Sequence, residues 1–483
     1  MKRNHFFFCI SILLPSCLGA QSVQPDTNKT LSPNKLFILQ SIEKHQRELI
    51  ELSDKVWAFA ETAMKEKQSS KVLSDFAEKQ GFKVEKGVAG IPTAFIATYG
   101  SGKPIIAVMG EFDALPGLSQ KAQPTKEALN AGAAGHGCGH NLFGAGSLGA
   151  AVAIKELIVA GKLKGTVRFY GTPAEEDKEG KVWMAKAGLF NDVDICFDWH
   201  PDSENKANIQ SSQAVTHYTI EFKGKSAHAA ADPWNGRSAL DAAELFNVGI
   251  NFLREHVKPS VRMHYVYKAA GNVPNVIPDT ASVWLWIRDS KRTGVADVEA
   301  RMRDIAKGAG LMAGVSSKVT VLSGLYEILV NEPGAKAMQA NMELIGPITY
   351  TKEENEFADK IMKEYGNPLL GIDGSVKPLE KTKPDPDGGS SDVGDVSWIV
   401  PEVGLVATTA PAKSPWHSWV VVACGGMSIG HKGMLFASKA LAMTMCDMFE
   451  NETLRNNVKA DFEKRRGTER WKAILPDGPP PVE

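Results

Sequence analysis

The sequence predicts an α/β protein whose largely parallel sheet is interrupted by an inserted β-α-β-β-α-β unit of ferredoxin-like type. Three observations carry this reading. Between residues 93 and 201, short apolar runs alternate with helical patterns, the order that builds parallel strands. From 212 to 329 the strands instead alternate residue by residue and are separated by two amphipathic helices. After 329 the first texture returns, and a chain of 483 residues has room for both units.

Taken in order, 36–61 and 70–80 show helical periodicity. "TAFIATY" (93–99) and "PIIAVMG" (104–110) read as strands around a "GSGK" turn. The stretch "GHGCGHN" (135–141) leads into "LFGAGSLGAAVAIKELIVAG", a helix whose small residues call for close packing. A strand "GTVRFYGTP", a helix "KVWMAKAGLF" and a strand "DICFDWHP" follow. Inside the insert, "AVTHYTIEFKG", "RMHYVYKAA", "ASVWLWIRD" and "KVTVLSGLYE" read as strands, with helices after the first and third. Helical patterns resume at 332–343 and 352–365, a Gly/Pro/Asp-rich loop covers 371–389, and a last sheet-and-helix segment covers 403–449. The expected organisation is a signal peptide at 1–20, a polar spacer at 21–35, a catalytic domain in two parts (36–211 and 330–450), the insert at 212–329, and a tail at 451–483 whose "PDGPPPVE" end reads as disordered.

Hydrophobic residues make up 43% and charged residues 23%, as in ordinary globular proteins, and the formal net charge is −1. That balance creates no field for nucleic acid or an anionic membrane. Lys2 and Arg3 precede the apolar run 6–14, which is too short to span a bilayer and has the shape of an export signal. "LGA" before Gln21 offers one processing site, and "LPSC" ending at Cys17 offers another, with a lipid anchor at Cys17. A periplasmic or secreted protein is expected. Two of the six cysteines lie in that segment, and Cys196, Cys424 and Cys446 sit in apolar contexts as core residues. Cys138 differs, because its neighbours are glycines and histidines.

Candidate ligands fall where α/β sheets gather their sites, at the carboxyl ends of strands. Glu175 and Glu176 follow one strand, His200 lies at the end of another, His417 of "SPWHSW" follows "GLVATTA", and "GHGCGHN" opens a helix. Adjacent glutamates point to different sides of a turn. One can bind a cation while the other takes a proton from a metal-bound water, whose pKa is lowered to about 7. Cys138 beside a divalent cation would be a thiolate able to bridge two metals. The glycines at 135, 137 and 139 would let the backbone approach the ions.

Together, "GHGCGHN", "GTPAEE", "DWHP", "GKSAHAA", "GNVPNVIPD…WIR" and "SSDVGDVSW…WHSW" resemble the metal-dependent aminoacylase/carboxypeptidase family, over nearly everything from 40 to 450. The final motifs "DVGDVSW", "HSW" and "HKGM" are most similar to those of the branch that cleaves p-aminobenzoyl-glutamate, a folate breakdown product. The resemblance implies a two-metal, aminopeptidase-like catalytic domain interrupted by a lid that also dimerises. Carried over motif by motif, Cys138, His140, Glu176, His200 and His417 are the implied metal ligands and Glu175 the general base. His228 of "SAHAA" is the implied histidine that polarises the scissile carbonyl, often that of the neighbouring protomer. Asn275 and Arg288 are the implied holders of a substrate carboxylate, to which an Arg fork pairs bidentately.

The implied reaction is hydrolysis of an N-acyl or N-aroyl amino acid by metal-bound hydroxide with Glu175 as base. Other N-acyl amino acids, dipeptides and plant-conjugate-like amides remain alternatives, as does a non-catalytic binding protein on the same fold. Two divalent ions are expected, Zn or Mn with Co a third choice, in a homodimer built through the lid, with or without a smaller partner chain. His136 is expected to orient a ligand, and Glu111, Asp113, Asp392 and Asp395 to support the loops behind the metals. His431 of "GHKGM" is an alternative to His417. His217, His256 and His264 lie in the lid with no partner motif and are read as structural.

Overall fold

The computed structural model describes residues 31–482 other than 387. The signal segment 1–20, Cys17 and both candidate processing sites lie outside the described residues. The chain enters through α1 (Pro33–Phe59), capped by the Ser32 hydroxyl with a proline in its first turn. The helix therefore begins inside the stretch read as spacer. It buries Ile38, Ile42, Leu49, Leu52 and Val56 along one face. Next come α2 (Lys67–Lys79), β1 (Lys83–Lys86), β2 (Phe95–Ser101), β3 (Ile105–Gly110), α3 (His140–Val159), β4 (Gly165–Gly171), α4 (Glu175–Lys178), α5 (Gly180–Lys186), β5 (Ile195–Asp202) and β6 (Lys206–Ala207). The insert contributes β7 (Ala214–Lys223), α6 (Ala239–Leu253), β8 (Arg262–Ala269), β9 (Thr280–Asp289), α7 (Arg292–Ala313) and β10 (Ser316–Leu325). The chain closes with α8 (Glu332–Ile345), α9 (Lys352–Tyr365), α10 (Val393–Ser397), β11 (Glu402–Thr408), α11 (Trp419–Gly425), α12 (Ser428–Glu450) and α13 (Glu452–Arg466).

The large sheet has the order β1-β2-β4-β3-β5-β11-β6. Its centre, β4-β3-β5-β11, is parallel, and β1, β2 and β6 join antiparallel at the edges. The four central strands therefore end on the same side. Helix α3 is apolar and long enough to cross a membrane, yet it packs against the sheet, α1 and α12. Its small residues make this contact close: a Cβ on Gly149 would lie 2.7 Å from Leu49 and 2.8 Å from Ser438.

The insert forms its own antiparallel sheet in the order β10-β7-β9-β8. Tyr218, Ile220, Phe222, Val283, Leu285 and Ile287 share a core with Phe246, Ile250, Val298 and Met302 of its two helices. The alternation of strand residues sends His217, Trp284, Trp286 and Arg288 to the opposite face.

The stretch 451–483 is not the simple tail expected. It carries α13, and beyond that helix the Trp471 indole donates to Asp395 at 2.7 Å. Ile474 makes a β-bridge to Gly324 at the end of β10. Only Val458 and Phe462 of α13 are buried, so the segment lacks the apolar stripe that marks a helix in sequence.

Candidate metal centre

Each of the four central strands delivers part of the centre. Glu111 and Asp113 follow β3, Glu175 and Glu176 follow β4, His200 lies near the end of β5, and His417 lies in the loop after β11. Cys138 and His140 come from the loop entering α3, with His140 the first residue of that helix. The ligand atoms of Cys138, His140 and His200 lie within 4.8 Å of one another, and so do those of Cys138, Glu176 and His417. The two triplets share Cys138. A third group, Glu111, His140 and Glu175, meets the same distance.

The ring tautomers favour cation binding. His200 Nδ1 lies 2.7 Å from the Pro201 carbonyl, so Nδ1 carries the proton and Nε2 offers a lone pair. That Nε2 lies 3.3 Å from the Cys138 sulfur. His140 Nδ1 bonds Asp113 Oδ1 at 2.9 Å, the carboxylate–imidazole arrangement that orients metal-ligating histidines. His417 Nε2 stands 3.5 Å from Glu176 Oε2. Its backbone amide donates to the Gly137 carbonyl at 3.0 Å and ties the two ligand loops together.

Unsatisfied atoms test whether these residues fit a metal. Glu111 Oε2, His140 Nε2 and Glu176 Oε1 are buried with no hydrogen-bond partner. Glu111 Oε2 and His140 Nε2 are only 2.9 Å apart but are not aligned as donor and acceptor. Orphaned buried polar atoms cost several kcal/mol, and a cation removes that cost. Burial pushes the Cys138 thiol upward, so a nearby divalent charge is what would make it a thiolate. Burial, with Glu111, Asp392 and Glu176 close by, also holds the Glu175 carboxyl well above the usual range. Glu176 is raised by burial too. The set fits divalent cations.

The glycines of the loop entering α3 allow close approach to neighbouring segments. A Cβ on Gly135 would meet the Leu118 carbonyl oxygen at 2.4 Å, and Gly139 adopts φ +79 with Pro201 2.9 Å from a Cβ. They let the loop pack closely against its neighbours. Strain is placed at two other points, Ala174 (φ 64) just before Glu175 and His417 (φ 56). Each is worth about 1–3 kcal/mol in a non-glycine residue.

The remaining expected residues divide. His136 Nε2 bonds the Val56 carbonyl at 3.0 Å, and no hydrogen bond joins it to a ligand side chain among the described residues. It anchors the end of α1 instead of orienting a ligand. Asp392 bonds Lys181 through both oxygens rather than a ligand. His431 bonds Asp54 at 2.8 Å and belongs to neither triplet.

His228 is exposed. Its Nδ1 accepts from the Ala230 and Ala231 amides at 3.2 and 3.1 Å, which leaves the proton on Nε2. The His228 and Asn275 loops pair through an Ala229 amide to Asn275 carbonyl bond of 3.0 Å. Both loops belong to the insert, and neither residue joins the ligand triplets. Arg288 donates to Ser390 at 2.9 Å and lies 5.1 Å from the Trp286 ring centroid. No carboxylate pairs with it among the described residues. His217 is stacked on Trp286 at 3.7 Å between ring centroids.

Lys181 carries no functional signal in the sequence, where a lysine in "KVWMAK" reads as a solvent-facing helix residue. In the structure it is 0% exposed, and its ammonium lies 2.6 Å from both Glu111 Oε1 and Asp392 Oδ1.

The chain belongs to peptidase family M20/M25/M40, which it matches over residues 107–363. It is 35% identical over 476 residues to one of the subunits of p-aminobenzoyl-glutamate hydrolase from Escherichia coli (strain K12), covering 91% of this chain and 97% of that one. It is 28% identical to the Xaa-Arg dipeptidase of Homo sapiens over 461 residues, covering 90% and 94%. Among solved structures, its fold is similar to a dinuclear metal binding peptidase of the M20 family from Bacillus subtilis (TM-score 0.59, 20% identity, 84% and 99% covered). It is also similar to the aminobenzoyl-glutamate utilization protein of Klebsiella pneumoniae (TM-score 0.56, 16% identity, 82% and 97% covered). The protein is a metal-dependent amidohydrolase acting on N-acyl amino acids, with a small molecule as its substrate.

Proposed function

We propose that this chain cleaves the amide bond of p-aminobenzoyl-glutamate at a two-cation centre. The observation that carries the reading is the pair of ligand triplets meeting at Cys138, with Glu175 alongside. Cys138, His140 and His200 would hold one ion, and Cys138, Glu176 and His417 would hold the other. The Cys/His/Glu donor set suits Zn or Mn, with Co a third choice. When bound, such ions supply Lewis acidity to a water and to the scissile carbonyl.

The chain's own residues do the rest. Glu175 takes the proton of the attacking water and delivers it to the leaving amine, a role suited to a carboxyl raised by burial. His228 Nε2–H donates to the carbonyl oxygen as charge develops there. Its exposure, and the confinement of its bonds to the insert, support action in the cleft of a second copy. Arg288, with no carboxylate of its own among the described residues, and Asn275 receive the substrate's free carboxylate.

The homodimer is proposed through the insert. There β8 is an edge strand with Val266 and Tyr267 exposed, and α6 exposes Val248 and Phe252. A smaller partner chain is supported by a 28% identity over 243 residues to a different subunit of the same Escherichia coli hydrolase. Export to the periplasm or beyond, with Cys17 as the lipid-anchor alternative, rests on the charged start and the apolar run 6–14.

The test is a hydrolysis screen of p-aminobenzoyl-glutamate, other N-acyl amino acids and dipeptides, with Zn, Mn or Co restored to metal-stripped protein. Preferred turnover of p-aminobenzoyl-glutamate is expected. Preference for a dipeptide ending in arginine would move the reading to the dipeptidase relative. A protein that holds no divalent metal would overturn it.

A further inference from the structure

The segment carrying both catalytic-centre glutamates is a strained turn. Ala174 before it and Glu179 after it are non-glycine residues at φ 64 and φ 49, and α4 between them has only four residues. So short a helix does not hold its own shape. Its entrance is pinned where the Glu176 amide donates to Asp113 Oδ2 at 2.9 Å. Its exit is pinned at Lys181, whose amide donates to Asp392 Oδ2 at 2.9 Å and whose ammonium reaches Glu111 and Asp392 at 2.6 Å each. Both pins return to the end of β3, through Asp113 and Glu111. The other oxygen of Glu111 sits 2.9 Å from His140 Nε2, so the exit pin reaches directly into the ligand cluster.

A cation this deep, in the first turn of a helix, is unfavourable on two counts. It is fully desolvated, and it sits at the positive end of the α5 backbone dipole. Among the described residues, it is also the only lysine or arginine within ion-pair distance of Glu111 or Asp392. A lysine retained there for stability alone could be exchanged for an apolar side chain at little cost, provided its carboxylate partners could go too. Glu111 is committed to the centre.

We propose that Lys181 is the positioning residue of the general base. Sealed between Glu111 and Asp392, it clamps the exit of the turn and holds Glu175 at the place from which it can take a proton from water at the ligand clusters. This rests on the reading of Glu175 as the base of an amidohydrolase. Of the proposed ligands only Glu176 shares the clamped turn, and its backbone is held by the entrance pin at Asp113. Cys138, His140, His200 and His417 lie on other segments, so the clamp at the exit governs proton transfer more than ion binding.

The test compares wild type with Lys181→Met and with Lys181→Met/Asp392→Asn, which removes one of the two carboxylates left unpaired. The readouts are melting temperature, the thiolate-to-cobalt charge-transfer band of the Co(II)-loaded protein, and kcat and KM on the best substrate of the screen. Lys181→Met is expected to keep the cobalt band and a KM within about threefold of wild type while kcat falls by about 100-fold or more. The double variant is expected to regain part of the lost thermal stability without regaining kcat. A Lys181→Met enzyme with kcat within about threefold of wild type would overturn the proposal, as would a double variant whose kcat returns with its melting temperature. A wild type that gives the cobalt band but hydrolyses no N-acyl amino acid would overturn the amidohydrolase reading, and the proposal with it.

Discussion

Asp113 and His140 meet at 2.9 Å, Oδ1 to Nδ1, with both side chains fully buried. The other oxygen of Asp113 accepts the Glu176 amide. One carboxylate thus sets the ring of one proposed ligand and the backbone of another. Asp113→Asn places an amide where an acceptor is needed and is expected to weaken divalent-ion affinity by about 10–100-fold. Chelator competition followed by metal analysis measures this, and unchanged affinity would contradict the role.

Glu175 lies beside the triplets but is not needed to complete either of them. Glu175→Gln is expected to keep its bound metal and to lose about 10²–10⁴ in kcat. Metal content and turnover, measured on the same preparation, separate a base from a ligand. Parallel loss of both would make Glu175 a ligand.

The Arg288 fork has one donor on Ser390 and others available to a substrate carboxylate. Arg288→Lys keeps the charge but loses the planar fork. It is expected to raise KM for a free-carboxylate substrate by about tenfold or more and to change KM for the corresponding carboxamide little. Equal effects on the two substrates would remove Arg288 from carboxylate recognition.

Glu179 is buried, and burial pushes its carboxyl up from 4.5 to about 7 against the hydrogen bond from Ser323. A folded-state pKa above the unfolded one means that the folded protein binds the proton more tightly. Stability therefore falls as pH rises from about 4.5 to about 7, by at most about 3 kcal/mol. Glu179→Gln keeps an acceptor for Ser323 and removes the ionisation. Denaturant melts should show the variant more stable than wild type by about 1–3 kcal/mol at pH 8 and by clearly less at pH 5. An advantage independent of pH would refute this assignment.

Asp395 is fully buried and accepts from the Trp471 indole and from the Tyr326 amide at 3.1 Å. Trp471→Phe keeps an aromatic ring of smaller size and removes one donor from a buried carboxyl, a loss of about 1–3 kcal/mol for the bond alone. A variant as stable as wild type in thermal melts would show that the C-terminal segment is not held by this bond.

Much of the fold is legible in the chain because periodicity reports local burial. The β-α-β-β-α-β order of the insert, the helix at 352–365 and the strands that end near the ligands appear where their patterns place them. The antiparallel edges of the large sheet are not legible. Strand β1 is only "KVEK", and the pairing of β2 with β4 joins segments about seventy residues apart. The glycines of "GHGCGHN" stand out in the sequence, but their purpose does not, since their neighbours Leu118 and Pro201 come from other parts of the chain.

By itself, the sequence determined the inventory of the centre: a cysteine, histidines and paired glutamates, each just beyond a strand or at a helix start. Only the tertiary structure decided which of them converge. The order β4-β3-β5-β11 brings four parallel strand ends to one side, and this excludes His136 and His431 while gathering Cys138 with His140, His200, Glu176 and His417. It also decided that Lys181 is interior. A lysine's side chain reads as solvated because burying its charge is costly. Only the meeting of Glu111 from the end of β3 with Asp392 from the start of α10 offsets that cost.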